Sequence, residues 1–230
     1  MTYSQKYGRT YHYPFSPGIT NDDRINKNYW QDINNIAGLI HTEKLDGENN
    51  CLNKHGVFAR SHALPTTSAW TRSLRQKWDL LKYDLGDYEI FGENIYAIHS
   101  IKYTDIDSHF YVFGVRGNDQ WLSWEETMFI ASVFDFPTVP VIESLNALPD
   151  QAVFERQVRT LAGTESAFRS IDVANNKPCR MEGIVTRNIN AYPTSDFEKN
   201  VFKYVRSNHV TTDAHWTKNW KRTPLKNEKV

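Results

Sequence analysis

A lysine that is followed two residues later by Asp-Gly is the segment of this sequence best suited to covalent chemistry. Within residues 41–50, Lys44 leaves a predicted strand and Asp46-Gly47 follows it. Glycine permits a tight turn at which the backbone approaches a ligand closely. A lysine amine, with a reference pKa of about 10.4, is protonated at pH 7, but burial or a nearby cation or metal ion can lower that pKa and create a nucleophile. The segment therefore predicts either a nucleophilic lysine beside a bound ligand or a solvated lysine in a loop.

Four other segments place polar or aromatic side chains at the ends of apolar strands or within them. They are Phe91-Gly-Glu93, the strand 110–116, Glu182-Gly-Ile-Val185 and Lys203 inside the strand 201–206. Each segment also has a structural interpretation by itself, because a carboxylate can cap a turn, a phenylalanine can fill the core and a lysine can face solvent. Their order along the chain is therefore the informative feature.

In that order, the segments resemble the motifs of the covalent nucleotidyltransferase superfamily, which contains polynucleotide ligases and mRNA capping enzymes. The closest resemblance is to ATP-dependent RNA ligases of the RNA ligase 2 type. The matching motifs are KxDG at 44–47, the motif Ia arginine at Arg60, motif III at 91–93, motif IIIa at 110–116, EGxV at 182–185 and the first lysine of motif V at Lys203. The resemblance covers about residues 40–206, and six ordered matches are far more specific than KxDG alone.

The resemblance implies two catalytic residues, of which Lys44 attacks the α-phosphate of ATP to form a lysyl–AMP phosphoramide and Lys203 contacts the same phosphate. Glu182 is the implied metal-binding carboxylate, and its oxygen ligation suits Mg²⁺ or Mn²⁺. The resemblance also implies a set of nucleotide-binding residues, which includes Lys203. Arg60 and Glu93 hold the ribose hydroxyls, and Phe113 stacks on adenine. Glu43 and Asn49 line the nucleotide pocket.

The implied substrate is RNA that has a 5′-phosphate on one end and a 3′-hydroxyl on the other. AMP passes from the lysine to the 5′-phosphate, and the 3′-hydroxyl then displaces AMP and seals the strand. We expect ATP and a divalent metal ion as cofactors and no membrane as a partner. The alternatives that stay open are a capping-type guanylyltransferase, a DNA ligase on the same scaffold, and a nucleic-acid-binding module that has lost catalysis.

Motif V departs from the family pattern. It usually has two lysines separated by one residue, and Val205 stands at the second position. Arg206 and Lys199 are the nearby cations that could supply the missing charge.

The expected domain organisation is a nucleotidyltransferase domain over residues 1–206 and a basic tail over 207–230. The domain includes an irregular N-terminal segment, residues 1–38, in which Arg9 and His12 are candidates for the rim of the nucleotide pocket. DNA ligases and capping enzymes carry an OB domain, and the sequence after residue 206 is too short for one. We therefore expect sealing to need a partner, such as an end-healing enzyme or a docking domain, or docking by the basic tail.

The tail has three interpretations. From Lys199 to Val230 the formal charge is +6, so the remainder of the chain carries −6. Basic residues interleaved with tryptophans favour an RNA contact, whereas the same tryptophans could pack the tail on the domain. His209, Asp213 and His215 lie within seven residues and also allow a metal-binding interpretation.

Periodicity and turn signals predict an α+β domain with mainly antiparallel sheets flanked by helices, since strands outnumber helices and do not alternate with them strictly. The resemblance specifies it as a nucleotidyltransferase (ATP-grasp-like ligase adenylation) domain. Predicted helices are 66–81, 123–133 after a Ser123–Glu126 capping box, and 149–161. Predicted strands are 39–44, 88–96, 110–116, 181–187 and 201–206, with a hairpin around residues 54–56.

Composition narrows the class of protein. The 230 residues have zero net charge and a mean hydropathy of −0.62, which is typical of a soluble protein and argues against binding nucleic acid through bulk charge. No apolar run approaches the length of a membrane span or resembles a secretory signal. Cys51 and Cys179 form no CxxC pair, so we expect a cytoplasmic protein without disulfides or a zinc site. His62 and His99 are expected to be structural.

Overall fold

The computed structural model describes Ser4 and residues 6–60, 64–207 and 216–228. Five α-helices and fourteen strands lie within these ranges, together with short 3₁₀ turns. The helices are α1 (Tyr29–Asn34), α2 (Arg72–Leu81), α3 (Trp124–Val133), α4 (Gln151–Leu161) and α5 (Phe197–Asn200). The strands are β1 (Tyr11–His12), β2 (Leu39–Lys44), β3 (Glu48–Asn53), β4 (Gly56–Ala59), β5 (Glu89–Asn94), β6 (Ile101–Tyr103), β7 (Phe110–Gly117), β8 (Gln120–Trp121), β9 (Val141–Leu145), β10 (Ser170–Asp172), β11 (Lys177–Pro178), β12 (Gly183–Asn188), β13 (Tyr192–Pro193) and β14 (Val201–Val205).

The strands form two large sheets and one small sheet. The first large sheet has the order β1-β14-β12-β2-β9, the second has the order β13-β8-β7-β5-β3-β4, and the small sheet has the order β11-β10-β6. Among the strand pairs described, only β1 and β14 run parallel. The predicted α+β class with mainly antiparallel sheets is therefore confirmed.

Three clusters of buried side chains hold the layers together, because alternate residues of a strand point to opposite faces of its sheet. The cluster between the two large sheets includes Ile40, Phe58, Phe91, Val185 and Val201. On the outer face of the first sheet, α1 and α4 contribute to a cluster that includes Ile33, Phe154, Val158, Ile184 and Phe202. On the outer face of the second sheet, α2 and α3 contribute to a cluster that includes Leu52, Leu74, Ile90, Val112 and Ala131. The result is a helix–sheet–sheet–helix arrangement.

The predicted elements agree best with the structure where a local signal marks their ends. Strand β2 has the predicted bounds, and α3 begins after Ser123, whose hydroxyl and Glu126 form both halves of the capping box. Helix α2, by contrast, begins at Arg72 rather than residue 66, after a 3₁₀ turn. Thr66 is held outside the helix because its N–H donates to the carbonyl of Val57 at 2.7 Å and its hydroxyl accepts from the N–H of Ser68.

The N-terminal segment is more regular than its composition suggests. Its strand β1 pairs with β14 in the register His12↔Lys203, so this segment adds a strand to the edge of the first sheet. The opposite edge of the sheet is β9. The sequence does not predict this strand, because its apolar and polar residues do not alternate clearly, and in the structure none of its residues is buried. No helix in the described part of the chain is long and apolar enough to cross a membrane.

The aromatic core under α4 gives a testable stability prediction. Phe154 is completely buried and its ring lies within 6.0 Å of the rings of Tyr13, Trp30 and His41. Phe154→Ala removes these contacts and leaves a cavity, so we expect a loss of about 3–5 kcal/mol in the free energy of unfolding. Urea denaturation measures it. Phe129→Ala is the matched control, since Phe129 is 65% exposed on α3, and an equal loss there would contradict the assignment of this core.

Candidate active site

A cleft of about 420 Å³ opens between the two large sheets, at the point where the chain crosses from one to the other. Lys44 ends β2 in the first sheet and Glu48 begins β3 in the second, so the turn 45–47 connects the sheets. The residues that line the cleft are Tyr7, Thr10, Glu43, Lys44, Leu45, Gly47, Glu48, Asn49, Ala59, Arg60, Glu93, His99, Phe113, Val139, Val185, Arg187 and Lys203. Every predicted site residue except Glu182 is in this set, and Glu182 contacts Lys44.

The closest contact between charged groups in the cleft is an ion pair between two neighbouring strands. The Nζ of Lys44 donates to Oε2 of Glu182 at 2.7 Å. Gly183, which follows Glu182, lies opposite Lys44 on one side and Val205 on the other. A Cβ at position 183 would lie 2.0 Å from the carbonyl oxygen of Tyr204, so this close approach of β12 and β14 requires glycine. The Glu-Gly pair therefore brings the carboxylate to the lysine.

The charge state of Lys44 differs from the expectation of a lowered pKa. Burial disfavours the ammonium, but the carboxylates of Glu182, Glu93 and Asp46 outweigh burial, so the pKa of Lys44 is raised. The structure therefore holds a protonated lysine at the end of β2. Its side chain remains 26% exposed, which leaves room for a ligand to approach the amine.

The turn after Lys44 is anchored on both sides. The Oδ2 of Asp46 accepts from the N–H and hydroxyl of Ser100 at 2.9 and 2.7 Å and from the N–H of Ile101 at 2.8 Å. The N–H of Gly47 donates to Oε1 of Glu93 at 3.1 Å, and a Cβ at position 47 would lie 2.5 Å from the carbonyl oxygen of Asn94. The aspartate thus fixes the turn to the loop before β6, and the glycine lets it pass close to β5.

Three of the predicted nucleotide-binding residues meet at one corner of the cleft. Asn49 on β3 lies directly opposite Glu93 on β5, and its carbonyl accepts from the N–H of Arg60 at 3.1 Å. The Oδ1 of Asn49 is buried and has no hydrogen-bond partner in the described structure. Burial raises the pKa of Glu93 to about 8, against the opposing effect of Lys44. This corner therefore presents an unsatisfied acceptor, a half-buried carboxyl and an exposed guanidinium.

Lys203 enters the cleft from β14 and is held by the N-terminal segment. Its Nζ donates to Oδ1 of Asp23 at 2.9 Å, and Nε2 of His12 lies 3.1 Å from the same oxygen. The other oxygen of Asp23 accepts from the N–H and hydroxyl of Thr20 at 3.1 and 2.9 Å. Burial lowers the pKa of Lys203 in spite of Asp23, and burial lowers that of His12 to about 4, so His12 is neutral. The sequence places His12 at the pocket rim, whereas its side chain is buried behind Lys203.

Two further residues, which the sequence does not predict, stand beside Phe113. The guanidinium of Arg187 lies 5.1 Å from the centre of the Phe113 ring, and its Nη1 donates to the hydroxyl of Tyr7 at 3.1 Å. Arg187 is buried, and its Nε has no partner among the described residues. Arg187 lies on β12, five residues after Glu182. Its position along this strand is the only signal from which the sequence could have predicted that it reaches the cleft.

Glu43 and His99 also line the cleft. Glu43 is buried, its Oε2 accepts from the N–H of Ala167 at 3.0 Å, and its Oε1 has no hydrogen-bond partner in the described structure. Burial raises the pKa of Glu43 to about 7. His99, which the sequence suggests is structural, stands 3.9 Å from Asp46, and burial lowers its pKa.

The charge expected to replace the second lysine of motif V is absent from the cleft. Val205 is buried against Gly18, and the Nε of Arg206 donates to the carbonyl of Met181 at 3.1 Å. Lys199 lies on α5, 60% exposed, and is 3.7 Å from Asp196. Neither Arg206 nor Lys199 is one of the described residues that line the cleft.

The donor set at Glu182 fits a divalent cation that is shared with a ligand. Mg²⁺ and Mn²⁺ prefer oxygen ligands, and Mg²⁺ usually takes one or two carboxylates together with substrate phosphates and water. In the described ranges, no group of three or more His, Cys, Asp and Glu residues could form an all-protein metal site. Glu182 would therefore hold such a cation together with phosphate oxygens of a ligand.

The described part of the tail, residues 216–228, packs against the second sheet. Trp220 lies 6.3 Å from Trp70 and 5.8 Å from Tyr96, and the N–H of Thr223 donates to the carbonyl of Tyr96 at 2.8 Å. These contacts support the interpretation of a tail that packs on the domain, here through Trp220. His62 and the residues of the proposed tail metal site, His209, Asp213 and His215, lie outside the described residues.

Comparisons with known proteins converge on one family. The RNA ligase family model matches residues 38–205, well over half of the chain. No curated protein sequence matches. Among solved structures, the chain is similar to the RNA ligase of Naegleria gruberi. One mutant of that ligase with ATP and Mn is 20% identical, with a TM-score of 0.54 over 85% of this chain and 58% of that one.

Two further structures of the same Naegleria ligase give the same picture. A mutant with AMP and Mn is 19% identical, with a TM-score of 0.56 over 90% of this chain and 57% of that one. The ligase with PPi is 18% identical, with a TM-score of 0.53 over 88% and 61%. At these identities the likeness is one of fold, and this chain spans about three fifths of the length of those chains.

The buried Glu43 gives a prediction on pH-dependent stability. Its pKa rises from an ordinary 4.5 to about 7 in the folded protein. Between these pH values the folded state therefore binds more protons than the unfolded state, and the free energy of unfolding falls as the pH rises. The cost at pH 8 is at most about 3.5 kcal/mol, at about 1.4 kcal/mol per pKa unit. Glu43→Gln removes the charge, so we expect the decrease from pH 5 to pH 8 to shrink by up to that amount.

Urea denaturation at pH 5 and pH 8 tests this difference. Glu125→Gln is the control, since Glu125 is exposed in the first turn of α3. Equal pH dependence in wild type and Glu43→Gln would show that this carboxyl is not desolvated.

Proposed function

The chain belongs to the RNA ligase family, and from this premise we propose that it is an ATP-dependent RNA ligase that joins a 5′-phosphate to a 3′-hydroxyl through a lysyl–AMP intermediate. The observation that carries the proposal is the cleft itself. It places an accessible lysine amine 2.7 Å from a buried carboxylate, with a second lysine and an arginine on its walls. Such a site suits a nucleophile that attacks a phosphate whose negative charge must be neutralised.

In the first step, the neutral amine of Lys44 attacks the α-phosphorus of ATP. A P–N bond forms, the bond from the α-phosphorus to the bridging oxygen breaks, and pyrophosphate leaves with that electron pair, while the amine loses a proton. Lys44 is protonated in the structure, so the step requires its contact with Glu182 to be exchanged for the nucleotide. A divalent cation would be held by Glu182 and would supply positive charge to the phosphate oxygens. Lys203 supplies further positive charge from β14.

In the second step, an oxygen of the RNA 5′-phosphate attacks the same phosphorus. The P–N bond breaks, and Lys44 leaves with the electron pair and takes up a proton. In the third step, the 3′-hydroxyl loses its proton and attacks the phosphorus of the RNA 5′-phosphate. A P–O bond forms, the anhydride bond to AMP breaks, and AMP leaves with that electron pair. Lys203 offers positive charge from β14 in each of these steps.

The walls of the cleft support the nucleotide assignments. The ribose belongs at the corner of Asn49, Arg60 and Glu93, where the Oδ1 of Asn49 and the carboxyl of Glu93 can accept hydrogen bonds from the ribose hydroxyls. The base belongs beside Phe113, with Val185 and Val139 as the other apolar walls.

Glu43 supports the choice of adenine over guanine. Its Oε1 is a buried acceptor without a partner in the described structure, and it lines the cleft. The exocyclic amine of adenine can donate to this oxygen, whereas the carbonyl of guanine cannot. An unsatisfied buried acceptor costs about 1–3 kcal/mol, so the hydrogen bond discriminates between the two bases.

Labelling tests the covalent intermediate. Incubation with α-³²P-ATP and Mg²⁺ or Mn²⁺ should leave a label on the protein that survives a denaturing gel. Lys44→Ala should lose the label completely, because it removes the nucleophile, and Lys54→Ala, an exposed lysine on the β3–β4 hairpin, should keep it. Label from GTP alone would indicate a capping-type activity, and no label from either nucleotide would indicate a binding module.

The ligated strand is tested separately. A 5′-phosphorylated RNA should yield joined or 5′-adenylylated product in the presence of ATP. Activity restricted to nicked DNA duplexes would overturn the RNA assignment while leaving the lysyl–AMP step intact.

Base selection is tested by Glu43→Gln. In this variant the amide oxygen takes the place of Oε2 on the N–H of Ala167 and turns the NH₂ group toward the base, so we expect the ratio of kcat/KM for ATP over GTP in lysyl–nucleotide formation to fall about tenfold. Glu48→Gln, which changes a half-buried carboxylate elsewhere on the cleft wall, is the control. An unchanged ratio in Glu43→Gln would remove Glu43 from base recognition.

A further inference from the structure

A second polar cavity, of about 460 Å³, adjoins the cleft on the side of β14 and β1. Tyr7, Thr10, Arg60 and Lys203 line both spaces. The remaining walls of this second space, which we call the lateral bay, come from the N-terminal segment and are Lys6, Arg9, Asp22, Asp23 and Arg24. These five residues precede residue 38, where the match to the family model begins.

The lateral bay carries an excess of positive charge. Five of its lining residues are basic and two are acidic. One of the two carboxylates, Asp23, already accepts from Lys203 and from Thr20. The other, Asp22, is exposed, as are Lys6 and Arg9. Clefts lined by one sign of charge concentrate ligands of the opposite sign, and guanidinium groups bind phosphate oxygens with two hydrogen bonds. The bay is therefore suited to a phosphate group.

The N-terminal segment that lines the lateral bay is attached to the edge of the first large sheet. Strand β1 pairs with β14, and the N–H of His12 donates to the carbonyl of Arg24 at 2.8 Å, which closes the segment into a loop. The Nη1 of Arg9 donates to the carbonyl of Asp22 at 3.3 Å, and that of Arg24 donates to the hydroxyl of Tyr11 at 3.0 Å. These contacts hold the cationic side chains along the wall of the bay.

The order of the strands decides which phosphate the bay faces. Lys44 is on β2, Lys203 is on β14, and β12 lies between them, so the order β1-β14-β12-β2 places the bay beyond Lys203 and away from Lys44. Neighbouring strands are about 4.8 Å apart, which separates β2 from β14 by about 10 Å. A phosphate held between Lys44 and Lys203 thus has the nucleophile on one side and the bay on the other.

We propose that the lateral bay binds the phosphate group that stands opposite Lys44, first the pyrophosphate that leaves ATP and then the 5′-phosphate of RNA. In-line displacement at phosphorus puts the entering and leaving groups on opposite sides. In the first step Lys44 enters and pyrophosphate leaves, and in the second step the RNA phosphate enters and Lys44 leaves. Both anions therefore need the same side of the same phosphorus, in turn. The proposal rests on the proposed function, because it uses the lysyl–AMP intermediate.

Arg9→Glu tests the bay. The adenylylated protein is isolated, and discharge of its labelled AMP is measured against increasing pyrophosphate and, separately, against increasing 5′-phosphorylated RNA. We expect the half-maximal concentration of each to rise at least tenfold, because one of the five cations becomes an anion. Arg9→Lys keeps the positive charge, so its half-maximal concentrations should stay close to those of the wild type. Lys27→Glu is the matched control, since Lys27 is an exposed cation of the same segment outside the bay, and its values should stay within twofold of wild type.

The outcomes separate the bay from the proposed function. Unchanged values for both anions in Arg9→Glu, or equal changes in Lys27→Glu, would overturn the bay as a phosphate site. A change for only one of the two anions would overturn its shared use. Failure of the wild-type protein to form lysyl–AMP would overturn the proposed function instead. A binding measurement with pyrophosphate alone on Lys44→Ala, with and without Arg9→Glu, would then still report on the bay, and equal affinities in the two would reject it.

Discussion

The ion pair between Lys44 and Glu182 is the interaction on which the rest of the site depends. It joins the end of β2 to the start of β12, and it keeps two otherwise costly charges together in a largely desolvated cleft. Burial raises the pKa of Glu182 to about 7 despite Lys44, while that carboxylate and its neighbours keep the lysine protonated. Breaking a buried pair without a replacement leaves an uncompensated charge. In the proposed mechanism the lysine is therefore released for chemistry only when a ligand takes over the carboxylate.

The two large sheets meet at the turn that follows Lys44, and this junction positions the ion pair. The turn 45–47 is the connection between the two large sheets, so the residue at its start belongs to one sheet and the residues after it belong to the other. Asp46 fixes the turn through three hydrogen bonds, and Gly183 lets β14 come close enough to bring Lys203 alongside. The antiparallel register places Gly183 opposite both Lys44 and Val205, so Glu182 and Lys203 each lie within two positions of the row that contains Lys44.

The N-terminal segment contributes three features to this site. It supplies the edge strand β1, the aspartate that pairs with Lys203 and the loop that covers Val205, none of which lies in the region matched by the family model. Where a second lysine is usual, the sheet instead has a valine packed under residues 16–18. The basic side chains of the proposed phosphate site thus come in part from a segment distant in sequence, which lines the second cavity beside the cleft.

The family resemblance, the strand β2, the capped helix α3 and the residues that gather in the cleft could all be predicted from the amino-acid sequence. These features rest on local signals: a KxDG turn, a Ser–Glu capping box and short polar interruptions of apolar strands. Tertiary structure alone decided the raised pKa of Lys44, the burial of Arg187 beside Phe113 and the contact of Asp23 with Lys203. Each of these depends on which strands become neighbours and how they are aligned. A pKa is set by charges that are remote along the chain and close in space, so no reading of the local sequence could assign it.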